Sequence, residues 1–177
     1  MRTAISVRAG TDVTSVPDVQ RAIERFGDRY LSRVFTQHEL SCARGTDLVV
    51  ASSLAARFAA KEATLKVLRP GPGPRDAVDW RSIEVRREEE GWCSLRLTGT
   101  ARMLAQRAGV RDISVSLSHE GEVATAVVVA LCGTNAQDET PTGRLASGVH
   151  GTSAGGTTEN GEWERPGRGG HDKLGEG

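Results

Sequence analysis

An α+β fold, with an antiparallel sheet packed on one long helix, is predicted by three features of this sequence. Ile113, Val115 and Leu117 alternate with serines, and Glu120-Gly121-Glu122 then turns the chain into residues 123–131, the pattern of a hairpin. Residues 50–68 place Leu54, Phe58, Leu65 and Leu68 on one stripe at helical spacing. Near the start, Ile5, Val7 and Val13 alternate with small or polar residues, as in a half-buried strand.

The other elements follow in order. Gly10 interrupts the first strand's side-chain row, which permits a bulge or a close backbone approach to a ligand. Asp12 then falls at the strand end. Pro17 suits the first turn of a helix over residues 17–26, with Ser15 as its cap. A shorter helical piece spans residues 30–35, and Thr36 caps a turn through His38 and Glu39. The long helix stops at Arg69-Pro70-Gly71-Pro72-Gly73-Pro74-Arg75, because proline cannot continue the hydrogen-bond ladder. Strands are expected at 82–87 and 93–97, around a turn at Glu90-Gly91. A helix then starts at Thr98 or Thr100 and ends before Gly109. Residues 123–131 are apolar on both faces, so a central strand covered on both sides is expected, with the long helix on one of them.

The 177 residues suffice for one domain with a real core, yet only 37% are hydrophobic, so part of the chain should lack a core. That part is residues 133–177, rich in Gly, Thr, Ser and Glu, which are expected to be a disordered tail behind a domain of residues 1–132. Trp163, between two glutamates, is the one candidate docking residue in it, against a passive tail. Formal net charge is +0, which gives no case for nucleic acid or a membrane surface. The most apolar run, 123–131, is too short to span a bilayer as a helix. Three cysteines without CxxC spacing are expected as reduced thiols in the cytoplasm.

The long helix carries the oddest residue. Lys61 falls on its apolar stripe, with Glu62 beside it and Arg57 and Lys66 flanking the face. An unpaired charge there would be costly to desolvate, so Lys61 borders a polar cavity, meets an anion, or lays its stem on apolar surface with the ammonium in water.

Gly10-Thr11-Asp12, Arg57-Phe58-Ala59-Ala60-Lys61-Glu62 and Ser116-Leu117-Ser118-His119, in that order, resemble the holo-acyl-carrier-protein synthase family, the small phosphopantetheinyl transferases. Residues 33–40, 80–85 and 97–101 agree as well, and the resemblance covers about residues 3–131. It implies a 4′-phosphopantetheinyl transferase-like fold and a reaction. Phosphopantetheine passes from coenzyme A to a serine of an apo acyl carrier protein, in fatty-acid or polyketide synthesis, and 3′,5′-ADP is released. It further implies Mg²⁺ on Asp12 and Glu62, since a hard cation takes carboxylates plus phosphate oxygens. Lys61 and Lys66 are implied as phosphate or leaving-group contacts, with Lys66 also in the catalytic set. Arg57 and His119 are implied at the nucleotide end of coenzyme A. The proton acceptor is open between Glu62 and a metal-bound water.

Family members commonly form homotrimers with sites between subunits, which is the assembly implied here. Arg21, Arg25, Arg29 and Arg33 would make one basic stripe for an acidic carrier if their helix were unbroken, although Gly27 sits among them; the alternative is a solvated face paired with Glu24 and Asp28. The sequence departs from the family pattern at Ser15, where an acidic residue is common, and at Asp18, where an arginine is. The third departure is Gly71-Pro72-Gly73, whose proline removes a donor that could cradle phosphate. A non-catalytic protein that binds coenzyme A or a carrier on the same fold is the competing reading.

Overall fold

A computed structural model of the chain describes residues 5–133. The expected tail and Trp163 lie, apart from Gly133, outside the described residues. Strand β1 spans Ile5–Ser15, and four helices follow: α1 (Val16–Phe26), α2 (Asp28–Val34), α3 (Gln37–Cys42) and α4 (Asp47–Leu68). Strands β2 (Ile83–Arg87) and β3 (Cys93–Leu97), helix α5 (Gly99–Arg107) and strands β4 (Val110–Glu120) and β5 (Val123–Gly133) complete it.

The caps are where short-range chemistry places them. Ser15 accepts from the Asp18 N–H at the start of α1, with Pro17 in the first turn. Thr36 and Glu39 form a reciprocal capping box on α3. Gly27 breaks the first helical region at φ 51°, so the four arginines do not form one continuous stripe. Helix α4 starts earlier than its apolar period suggests. Asp47 suits the first turn electrostatically, while Leu48 and Val49 stay exposed and so carry no core signal. Arg69 closes α4 in the left-handed region, its N–H on the Leu65 carbonyl, just before Pro70.

The main sheet has the order β1-β5-β4, antiparallel throughout. Ala124, Ala126, Val128 and Ala130 of β5 are buried, and α4 packs over that face through Ala59, Ala60, Ala63 and Val67. Small residues on both sides permit a close approach. Gly10 takes this furthest: a Cβ there would lie 2.2 Å from the Ala63 carbonyl oxygen. The strand runs through Gly10 without a bulge, so the approach that glycine permits is to the helix and not to a ligand. Asp12 accordingly sits within β1 and not at its end.

The opposite face of the sheet differs from expectation. Val127 and Leu131 of β5 and Val7 and Val13 of β1 are exposed, the last at 66%. Strand β5 is central but, among the described residues, covered on one face only, because no described helix crosses the other side. A separate two-stranded sheet, β2-β3, packs with α5 around Ile83 and Leu104.

Candidate active site

Asp12 and Glu62, far apart in sequence, line one cleft between β1, α1 and α4, with Thr14, Asp18, Tyr30 and Phe58 among its walls. The register explains the strand side. Asp12, Ala126 and Leu117 stand in one row across β1, β5 and β4, on the face that α4 covers. Thr14 shares that face two residues on, and its hydroxyl donates to Asp12 Oδ2 at 3.2 Å. The helix side follows from α4 spacing, which stacks Phe58 and Glu62 one turn apart.

Lys66, a turn beyond Glu62, donates its ammonium to Asp12 Oδ1 at 2.8 Å and to the Thr11 carbonyl at 2.6 Å. It is half exposed, whereas Asp12 is largely covered. Glu62 has its carboxyl pKa raised, first by burial and then by the Asp12 charge, with Lys66 pulling the other way. The two carboxylates therefore repel one another across the cleft. That is the condition a divalent cation relieves, and the donors are the hard oxygens magnesium takes. Among the described residues no group of three or more His, Cys, Asp or Glu is arranged to hold a metal, so waters or a ligand's own oxygens would supply the remaining positions.

Lys61 lies elsewhere. It is fully buried and its three N–H bonds are all used: Glu39 Oε2 at 2.9 Å, the Trp80 carbonyl at 3.0 Å and the Ile83 carbonyl. Burial lowers its pKa while Glu39 holds it up. The anion it meets in this structure is thus a glutamate of its own chain, and no ammonium N–H is left over for the phosphate contact expected of Lys61.

Arg57 and His119 do not line the Asp12–Glu62 cleft. Arg57 is 7% exposed, donating Nη1 to the Ser53 carbonyl and hydroxyl, while its buried Nε has no partner among the described residues. His119 is exposed near the end of β4, in the row of Ala124 and Thr14 and two strands from β1, roughly 10 Å away by inter-strand spacing. Pro72 belongs to a loop tied by a different route: the Gly71 N–H donates to Asp76, which Arg107 grips at 2.7 Å and whose pKa that bond lowers.

Sequence reasoning missed Glu39 and Thr14. Thr14 could have been found from its period-2 spacing to Asp12. Glu39 was visible only as part of the turn that Thr36 caps, and nothing local indicates that its carboxylate reaches α4 and the Val85 N–H.

The family described as the 4′-phosphopantetheinyl transferase superfamily matches residues 8–132, and the chain belongs to it. Among curated relatives, a holo-acyl-carrier-protein synthase of Herpetosiphon aurantiacus is 42% identical over 126 residues, which is 69% of this chain and 96% of that protein. One from Klebsiella pneumoniae is 41% identical over 68% of this chain and 93% of its own length. The solved ACPS–CoA complex of Chronobacterium ammoniagenes superimposes with a TM-score of 0.64 at 29% identity, covering 73% of this chain and 99% of that one. The predicted fold class holds.

Proposed function

We propose that this chain transfers 4′-phosphopantetheine from coenzyme A to a serine of an apo acyl carrier protein, releasing 3′,5′-ADP, with the chemistry in the Asp12–Glu62 cleft. The observation that carries the reading is the meeting of these two carboxylates beside Lys66, within a family and fold whose relatives are named for this reaction. Bound Mg²⁺ would supply charge neutralisation of the diphosphate. Asp12 and Glu62 would hold it. Lys66 is poised to exchange its bond to Asp12 for one to phosphate once the cation takes over that carboxylate's charge. Thr14 keeps Asp12 in one orientation.

The carrier would approach over α1, where Phe26 is exposed with Arg25 stacked over its ring at 5.1 Å and Arg21 is already paired with Asp18. Basic side chains around an exposed ring suit an acidic helical partner. The apolar sheet face, uncovered among the described residues, supports a homotrimer, in which a neighbouring copy covers it and brings its own Arg57 and His119 toward the nucleotide end of coenzyme A. The transferase domain in this reading is residues 1–132, the tail 133–177 takes no part in the chemistry, and the setting is cytoplasmic. Among the described residues no helix is long and apolar enough to cross a membrane.

The test is incubation of the purified protein with coenzyme A, Mg²⁺ and a panel of apo carriers, read by the mass of the carrier and by 3′,5′-ADP release. Turnover is expected to fall roughly 10²–10³-fold in Asp12→Ala and in Glu62→Ala, as when a key transition-state contact is removed. Coenzyme A binding with no carrier modified by any member of the panel would favour the non-catalytic reading instead.

A further inference from the structure

One buried charged group has no part in the chemistry above. Glu39 is fully buried on α3, yet its carboxylate is completely engaged. Oε2 accepts from Lys61 at 2.9 Å and from the Thr36 N–H at 2.8 Å, and Oε1 accepts from the Val85 N–H at 3.0 Å. With the two carbonyls that Lys61 also holds, one polar junction ties α3, α4, the 3-10 turn Trp80–Ser82 and β2. Stability alone does not explain such a pair, because well-packed apolar residues of similar volume are commonly as stabilising or more so. What a fully bonded polar junction adds is a single geometry, whereas an apolar contact can slide.

That geometry reaches the cleft by two short paths. Lys61 immediately precedes Glu62, so the bond to Glu39 fixes the rotation of α4 at the point where Glu62 must face β1. The junction also grips the Trp80 carbonyl, and the Trp80 ring packs on Phe58 with centroids 5.3 Å apart. Phe58 is a wall of the Asp12–Glu62 cleft. We propose that Glu39 is a positioning residue for the transfer: through Lys61 it sets the orientation of Glu62 and, through Trp80, the position of Phe58. This rests on the functional reading above.

The experiment replaces both charges with residues of similar length, Glu39→Met with Lys61→Met, in a background of Trp92→Phe and Trp163→Phe that leaves Trp80 as the sole tryptophan. Four quantities are read: thermal midpoint, Trp80 emission, calorimetric Mg²⁺-dependent binding of coenzyme A, and kcat and KM. The expected variant is folded, with Trp80 emission shifted to the red and weaker Mg²⁺-dependent binding. Its kcat should be down roughly tenfold to a hundredfold, the scale of a misplaced reacting group, with KM for the carrier little changed. Leu104→Ala, a core truncation under α5 in a cluster that contains neither Phe58 nor Trp80, serves as the stability control. A folded double variant with unchanged emission and kcat overturns the proposal, and so does an equal loss of kcat in Leu104→Ala at matched stability. If the double variant does not fold, Glu39→Gln, which keeps the shape and removes the charge, is read by the same criteria. Absence of Mg²⁺-dependent coenzyme A binding in the parent protein would sink the functional reading instead, a result separate from any change in Trp80 emission.

Discussion

Helix α4 carries two lysine–carboxylate pairs of nearly equal length in opposite surroundings. Lys61 meets Glu39 at 2.9 Å with both side chains fully buried, and Lys66 meets Asp12 at 2.8 Å with the lysine half exposed. At the first, every donor and acceptor is committed and no ligand can enter. At the second, water screens the pair, so it is easily exchanged. Bond length therefore says little about role here. Access to solvent separates a fixture of the fold from a contact that can be traded for a substrate.

The sharpest way to break this contrast is to remove each ammonium in turn. Lys61→Met leaves Glu39 buried without its counter-charge, and the loss should be about 3–5 kcal/mol. Lys66→Met should change stability by only about 0–1 kcal/mol while lowering turnover. Chemical denaturation of the two variants checks this, and equal losses would erase the distinction.

A smaller effect is expected at Gly10, which sets the spacing between the two elements of the open pair. In Gly10→Ala the new methyl meets the Ala63 backbone carbonyl first, with Val67 Cγ2 at 3.1 Å beside it, so β1 must move away from α4. The loss of stability should be about 1–3 kcal/mol, as for other overpacked cores. Asp12 would move with β1, so the Mg²⁺ concentration for half-maximal binding should rise, measured by calorimetry with coenzyme A present. Unchanged metal dependence in a folded variant would show that the spacing is set elsewhere.

The gentlest probe is pH. Glu62 must be ionised to hold a cation, and its raised pKa lets protons compete at a higher pH than at an ordinary glutamate. Mg²⁺ affinity is then full above that raised pKa and falls as pH drops through it, with protons released on binding. Its contribution to folding has the opposite sign: the neutral form is favoured in the fold, so that stability is present at low pH and lost as pH rises through the folded pKa. Calorimetry in buffers of different ionisation enthalpy reads the released protons, and none are expected from Glu62→Gln.

What could be read from the sequence divides along the range of the forces involved. The Ser15 and Thr36 caps were legible because the bonds span three residues. Asp12 and Glu62 were legible through the motifs that carry them, and their shared cleft follows from the row Asp12, Ala126, Leu117. Lys61 stood out as a charge on an apolar stripe, yet its partner is Glu39, 22 residues away, so the anion was expected from outside the chain. Strand β5 looked covered on both faces because a run that is apolar on both sides records burial without saying whose surface provides it. The arginine stripe failed at Gly27, where positive φ ends one helix and begins another.

Residues 61 and 62 are neighbours along α4, yet one serves the interior and the other the cleft. Successive positions on a helix point about 100° apart. A single amino acid added or deleted upstream in α4 would swing both charges off their targets at once, stranding an ammonium in the interior and emptying the cleft of a carboxylate. This helix can therefore change its spelling at many positions, but its length between Ser53 and Lys66 is locked.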